Sequence, residues 1–350
     1  MLRLYKVQIF SMNVLVVRPD HIGDMLLTTP FFASMRRSFP EWNITVLCGS
    51  WSKPILDNNP NYDRIVVCDF PWLARVKPSL WKEFYSAVVK LRREKFDIVI
   101  TLRKAAKSAV VSRFIGGRER WGFDVGKSRW AHTRAIHYHT DCHIADLYEE
   151  FVTALGGKPV HTGLELYFQQ SEYDAFAQSI LLPERYAVIS PGAGYPEKLW
   201  FIERWAEAAD YIIERYAIPV VFTGSSNEQQ LVNMIIEKMY EKAVTLAGKL
   251  SIRETAIVIQ KSQFLATVDS AAMHIASAVR TPAVALFGPT NPVHWGPYPN
   301  GRANQVISKV KQFTLGRGST NKSGGMEDIT TNDVKEAIDR LCSLERIQMG

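Results

Sequence analysis

Short, uninterrupted apolar runs separated by stretches of helical periodicity recur along the whole chain. In the first half, residues 14–17, 44–47, 65–68 and 98–102 are four or five residues long, rich in Val and Ile, and show no polar/apolar alternation. That pattern predicts strands covered on both faces, as in a parallel sheet. Apolar positions at helical spacing lie between most of these runs, which gives a βαβ rhythm. After the first run Gly23 marks a turn, and Met25, Leu26, Thr29, Phe32 and Met35 continue at helical spacing until Pro40 stops the helix. The pattern loosens around 133–138. A helix is expected at 143–155, before Gly156 and Gly157, and a polar, irregular stretch follows to about Pro183.

The second half restarts the rhythm. Strands are expected at 186–189, 219–223, 244–246, 264–268 and 283–287, with helices beginning at Ile202, Glu228, Ile252 and Ala272 between them. Residues 311–325 are rich in Gly, Ser, Thr and Lys and read as a surface loop, and the segment ITTNDVKEAIDRLCSL then has a capping-type start and helical periodicity. The fold class is therefore α/β, with parallel sheets in two domains: 1–170, where residues 1–11 read as an extension, and 171–330. A C-terminal helix at 331–350 is expected to pack back on the first domain. Two α/β halves imply a cleft between them, a common place for a ligand.

Composition narrows the classes. At 350 residues and 47% hydrophobic content the chain is an ordinary globular one, long enough for two domains. Its 42 Lys and Arg against 35 Asp and Glu leave a net charge of +7, which favours anionic partners: phosphorylated sugars, nucleotides, lipid surfaces or nucleic acid. The basic excess concentrates in the first half without a nucleic-acid recognition motif, so nucleic acid is not expected as a partner. Cys48, Cys68, Cys142 and Cys342 form no CxxC pair, which indicates neither a disulfide framework nor a zinc motif and fits a cytoplasmic protein. No run approaches the ~20 apolar residues of a membrane-spanning helix, and the N-terminus does not read as a signal peptide.

Chemistry is expected where strands end. Ligands of open α/β sheets sit beyond the carboxyl ends of strands, so His21, Gly23 and Asp24 occupy a favoured position. Asp24 is the candidate catalytic base; the plainer alternative is that it caps the helix it begins. In the second half, Ser190, Gly192, Ala193 and Gly194 offer small side chains and open backbone N–H groups, and Lys198 adds positive charge. Thr223, Gly224, Ser225 and Ser226 form a second small-residue loop near Glu228, whose carboxylate could accept hydrogen bonds from a ribose. Asp269, Ser270, Ala271 and His274 form a third, at a helix start that could face phosphate. Each loop alone is ordinary turn chemistry; three in one α/β half suit a nucleoside diphosphate. His294 and Trp295 are expected to border the cleft. Among first-half cations, Arg103, Lys104, Lys107 and Arg120 are candidates for an anionic acceptor, with a solvated surface as the alternative. His132, His137, His139 and His143, near Asp141 and Cys142, match no usual zinc spacing, and no metal site is expected.

The segments VLVVRPDHIGDMLLTTPFFASMRRSFP, DCHIADLYEEFVTALG, ISPGAGYPEKLWFIERW, VVFTGSSNEQQ and FLATVDSAAMHIASAVRTPAVALFGPTNPVHWGP, in that order, resemble glycosyltransferase family nine, the ADP-heptose:lipopolysaccharide heptosyltransferases. The resemblance implies a GT-B fold, two Rossmann-like domains facing each other across a cleft, with acceptor held mainly by the first and nucleotide sugar by the second. It implies inversion without a metal or other cofactor, ADP-heptose as donor and an anionic glycolipid as acceptor, at or near the cytoplasmic face of the inner membrane. It makes Asp24 the general base, Lys198 a phosphate contact, Glu228 a ribose contact and Asp269 and His274 part of the donor site, with residues 248–252 near the adenine. Where the family commonly has Asp-Ser-Gly or Asp-Thr-Gly, this chain has Asp269-Ser270-Ala271. The competing expectations are a related transferase with another nucleotide sugar and acceptor, a nucleotide-sugar hydrolase or epimerase, and a non-catalytic nucleotide-binding module.

Overall fold

The computed structural model describes residues 11–73, 78–299, 304–310 and 325–348. The expected extension at 1–11, except for Ser11, and the Gly/Ser-rich loop at 311–325, except for Gly325, lie outside the described residues. The chain divides into two compact units, Met1–His139 with Ala145–Thr162, and Thr140–Ile144 with Gly163–Gly350.

The first unit runs β1 (Asn13–Arg18), α1 (Ile22–Leu26), α2 (Thr29–Ser38), β2 (Asn43–Cys48), α3 (Lys53–Leu56), β3 (Arg64–Val67), α4 (Pro78–Arg93), β4 (Ile98–Thr101), α5 (Ala106–Ile115), β5 (Glu119–Phe123), β6 (Arg134–Ile136) and α6 (Ile144–Ala154). Its sheet is parallel throughout, in the order β3-β2-β1-β4-β5-β6. β1 is buried along all but its first residue, as a central strand covered on both faces requires. Leu15, Val17, Leu47, Phe70, Leu91, Val99 and Val111 form one core cluster under α4 and α5.

The single helix expected from Met25 onward is two. A continuous helix would need an N–H at position 30 to reach the Leu26 carbonyl, and Pro30 has none. The Thr29 hydroxyl donates to that carbonyl instead, at 2.8 Å, while the Thr28 hydroxyl donates to Met25 O at 2.6 Å. α1 is thus a separate short helix held at the end of β1, and it carries Asp24. Sequence reading missed β5 and β6, because ERWGF and RAI contain charges where an apolar run was sought. The helix expected at 143–155 is α6, followed by Gly156 at φ +92°, a conformation that favours glycine.

The second unit runs α7 (Gln170–Ser179), β7 (Ala187–Ser190), α8 (Ile202–Tyr216), β8 (Val220–Phe222), α9 (Gln229–Ile236), β9 (Val244–Thr245), α10 (Ile252–Lys261), β10 (Leu265–Val268), α11 (Ala271–Val279), β11 (Ala283–Phe287), α12 (Pro292–Trp295), β12 (Asn304–Ser308) and α13 (Thr331–Gln348). Its parallel sheet has the order β12-β11-β10-β7-β8-β9. Read from the other edge and counted within the unit, this is the strand order of the first unit again. α7 falls in the stretch expected to be irregular; its only buried residue is Phe176, so no apolar face signals it. The expectation that the C-terminal helix packs on the first domain is corrected: Val334, Ala337, Ile338 and Leu341 of α13 join the second unit's core with Trp200, Trp205, Val284 and Leu286. A helix with that apolar stripe buries it against the nearest open sheet face, here beside β11 and β12.

Candidate active site

In the first unit, β1 ends in Arg18, which is 2% exposed. A guanidinium so placed must be fully partnered. Its Nη1 donates to the Leu102 carbonyl at 2.7 Å and lies 2.9 Å from Asp20 Oδ2. Its Nη2 donates to the Tyr148 hydroxyl at 2.7 Å and to Asp24 Oδ1 at 3.2 Å, and also reaches the Asp24 carbonyl at 3.2 Å. Arg103 Nε lies 2.9 Å from Asp20 Oδ1. Two arginines and two aspartates therefore balance in charge around the end of β1.

Asp24 sits in the first turn of α1, yet its carboxylate accepts only from Arg18 among the described residues, not from a helix N–H. Its side chain keeps 30% exposure. Burial raises its pKa above the ordinary carboxylate value, with Asp20 adding to the rise and Arg18, His21 and Arg103 opposing it. Burial likewise pushes the Tyr148 hydroxyl up, so it stays a donor or neutral acceptor. Sequence reading passed over Arg18, Asp20 and Tyr148. The available signal was a charge closing a fully apolar strand, which must find counter-charges close by.

Arg103, Lys104 and Lys107 follow β4 and belong to the same carboxyl edge of the sheet. Lys104 Nζ lies 4.1 Å from the Tyr138 ring centroid and Lys107 Nζ 5.7 Å from that of Trp72. Arg120 does not join them. It pairs in register with Val99 near the amino end of β4, and its guanidinium donates to Gly117 O and Ala131 O, which precede β5 and β6. Its expected place among the acceptor cations is corrected: the residue lies toward the opposite sheet edge, where the guanidinium ties two loops together. His21 is exposed and Gly23 is a buried residue of α1.

At the carboxyl edge of the second sheet the expected loops converge. An added Cβ at Gly192 would fall 2.0 Å from Glu228 Oε1, and one at Gly224 would lie 3.3 Å from Glu228 Oε2. Ser225 N and Oγ donate to Oε2 at 2.6 and 2.8 Å, leaving Oε1 toward Gly192. Gly248, at φ +73°, donates its N–H to Gly224 O at 2.9 Å and stacks its loop on this turn. Thr267 Oγ1 donates to the Ser190 carbonyl at 2.7 Å and lies 3.2 Å from Ser270 Oγ. Ser270 begins α11 without capping it by its side chain, and Ala271 is the first helical residue. Lys198 Nζ lies 2.6 Å from Asp269 Oδ2, which also accepts from Thr290 Oγ1 at 2.6 Å. His274 is buried, its Nδ1 has no hydrogen-bond partner among the described residues, and burial lowers its pKa to about 4, so it is neutral at pH 7. Ala193 is partly exposed, and around Gly194 an added Cβ would meet nothing within 4 Å.

His294 is buried at 1% exposure, and its Nδ1–H donates to Cys142 O at 2.7 Å, which ties its loop to that segment. Among the histidines of 132–143, His132 packs against Gly122, His137 meets Asp124 and stacks with the His139 ring at 6.3 Å, His139 meets Glu150 and His143 Nε2 lies 3.0 Å from Gly296 O. Two cavities of the first unit, about 660 and 390 Å³, lie around β3, α4 and the amino edge of the sheet and contain none of the candidate residues.

Two doubly wound units of one strand order, one carboxyl edge holding the Asp24 carboxylate and the other a set of small-residue loops, are the Rossmann-like halves of the GT-B class of fold. The chain matches the family model of glycosyltransferase family 9 (heptosyltransferase) over residues 85–323, and it belongs to that family. It is 28% identical to lipooligosaccharide heptosyltransferase 2 of Haemophilus influenzae, over 94% of this chain and 99% of that one. Among solved structures it resembles a family 9 glycosyltransferase from Veillonella parvula, with a TM-score of 0.81, 26% identity and coverage of 94% and 97%. The Escherichia coli ADP-heptose lps heptosyltransferase II shares the fold, with a TM-score of 0.76, 23% identity and coverage of 96% and 100%.

Proposed function

We propose that the protein transfers heptose from ADP-heptose to a hydroxyl of a lipopolysaccharide inner-core acceptor, in one inverting displacement that uses no metal. The acceptor oxygen forms its bond to the anomeric carbon as the bond from that carbon to the diphosphate oxygen breaks. The hydroxyl proton passes to Asp24, and ADP leaves. The observation that carries this reading is the state of Asp24: a carboxylate partly open to solvent, gripped on one side by Arg18 and spent on no helix N–H. A raised pKa makes its ionised form a stronger base than a free aspartate. His21, Gly23, Arg103, Lys104 and Lys107 would receive the anionic acceptor on the same edge. Ser190, Gly192, Ala193, Gly194, Lys198, Gly224, Asp269, Ser270, Ala271 and His274 would form the donor site, with Glu228 accepting from the ribose. Lys198 and the start of α11 would take up the charge developing on the diphosphate.

The lipopolysaccharide acceptor and the ADP-heptose donor follow the named activities of the relatives. Among the described residues no helix is long and apolar enough to cross a membrane, and the reading assigns the protein to the cytoplasm, next to the inner membrane where such an acceptor is built.

The test incubates the purified protein with ADP-heptose, UDP-glucose or GDP-mannose and measures released nucleoside diphosphate, with and without a heptose-deficient core lipid. Release of ADP from ADP-heptose alone, accelerated by the core lipid and unchanged by EDTA, is the expected result. Turnover of another sugar nucleotide in preference overturns the donor assignment, loss of activity in EDTA overturns metal independence, and nucleotide binding without turnover overturns the transferase reading.

A further inference from the structure

The first unit carries an aromatic stripe that its own core does not explain. Trp81 is 52% exposed, Tyr85 72% and Phe114 62%. Large aromatic side chains normally lie inside, and an exposed group of them marks an interaction surface. On α4, Trp81, Tyr85 and Arg92 share one flank of the helix, at spacings of four and eleven residues, while Phe84, Val88 and Leu91 turn to the core. On α5, Lys107, Val110 and Phe114 share a face, while Val111 and Ile115 are buried. The two rows are continuous: Arg92 Nη1 donates to the Phe114 carbonyl at 2.6 Å, and at the other end the Trp72 ring lies 6.3 Å from Trp81 and within cation–π reach of Lys107. Trp130, 62% exposed, lies in the short turn packed against α5.

The charge around this stripe is mostly positive. α4 and α5 carry Lys82, Lys90, Arg92, Arg93, Lys107 and Arg113 against Glu83 alone. None of these six cations forms an ion pair among the described residues. Aromatic rings flanked by unpaired cations are the chemistry of a surface that enters the headgroup layer of an anionic bilayer. Apolar insertion and electrostatic attraction each bind weakly, and together they anchor.

We propose that the α4–α5 face docks the protein on an anionic phospholipid membrane. The inference rests on the transferase reading above for its purpose, since it deepens the choice of a lipid-borne acceptor. The stripe ends, at Trp72, Trp81 and Lys107, on the carboxyl edge of the sheet that also carries Asp24. A docked protein therefore meets the head of a membrane-held glycolipid at the edge where the base stands.

The full-length protein is floated with vesicles of phosphatidylethanolamine and phosphatidylglycerol, and separately with vesicles of phosphatidylcholine alone. Binding to the first, weakening as salt rises and at least about tenfold weaker to the second, is expected. The variant Trp81→Ser/Tyr85→Ser/Phe114→Ser and, independently, Lys82→Gln/Arg93→Gln/Arg113→Gln should each weaken it at least about tenfold, with unfolding midpoint and turnover of a soluble core oligosaccharide retained. Equal binding to both vesicle types, full binding by both variants, or a dimer that the aromatic variant dissolves would overturn the proposal, the last by showing that a second copy covers the face. No sugar is needed for flotation. Failed docking thus leaves the transferase reading standing, and failed transfer leaves docking standing.

Discussion

The two sheets share one strand order, yet their carboxyl edges are built from opposite materials. The first edge concentrates formal charge: Arg18, Asp20, Asp24 and Arg103 interlock, with Arg18 and Asp20 buried, and the Tyr148 hydroxyl completes Arg18. The second removes side chains, leaving Gly192 and Gly224 against the Glu228 carboxylate and Gly248 bonded to Gly224, with one lysine already paired to Asp269. A charged network fixes one group in position and tunes its acidity; an edge of glycines lets a ligand's phosphates and sugar approach the backbone. The fold supplies the place, and the residues at that place supply the chemistry.

Removing the reacting group should separate the two edges most sharply. Asp24→Ala should lower turnover by roughly 10²–10⁴-fold with ADP affinity unchanged, measured by initial rates and by calorimetric titration of ADP. In the wild type the rate should fall as pH drops through the raised pKa of Asp24, placing the acid limb above the ordinary carboxylate range, because the ionised form is the base. Near-wild-type turnover of Asp24→Asn would show that the first edge only binds.

Next in size is the scaffold of that edge. Arg18→Met removes the cation from a buried cluster and leaves Asp20 and Asp24 facing each other, which should cost about 3–5 kcal/mol of stability in urea unfolding. Loss of the opposing cation also moves the acid limb further up, the same direction in which burial already pushes Asp24. An unchanged limb would mean that Asp24 does not govern it.

These elements differ in how far the sequence announces them. The central strands and the second-unit helices were legible because each buries a local apolar pattern, and the three small-residue loops because ordinary turn chemistry recurs after three strands of one half. Arg18 was not. Its partners Leu102 and Tyr148 are 84 and 130 residues away, and only the fold brings them to the end of β1. Arg120 misled for the converse reason: a cation near other cations in sequence was read as near them in space, whereas a parallel strand carries its two ends to opposite edges. The break between α1 and α2 was written in Pro30, but its apolar spacing concealed it.

At the second edge, Lys198→Met should weaken ADP binding by roughly 10–100-fold, the scale of one charge-assisted hydrogen bond, with little change in stability because Asp269 keeps its bond from Thr290. Unchanged ADP affinity would mean that the lysine serves Asp269 and not the diphosphate.

The finest distinction lies between two glycines of one loop. Gly192→Ala would put a Cβ 2.0 Å from Glu228 Oε1, so the carboxylate or the loop must shift; about 1–3 kcal/mol of stability is at stake, and ADP affinity should fall if Glu228 makes the proposed ribose contact. Gly194→Ala meets nothing within 4 Å and φ is not positive there, so stability should change by less than about 0.5 kcal/mol. Its effect on ADP is then diagnostic, because the free protein has no objection to the methyl group. Weaker binding of ADP by this variant would mean that the diphosphate itself comes against the backbone at Gly194, and equal binding that the phosphates lie closer to Lys198 and the start of α11.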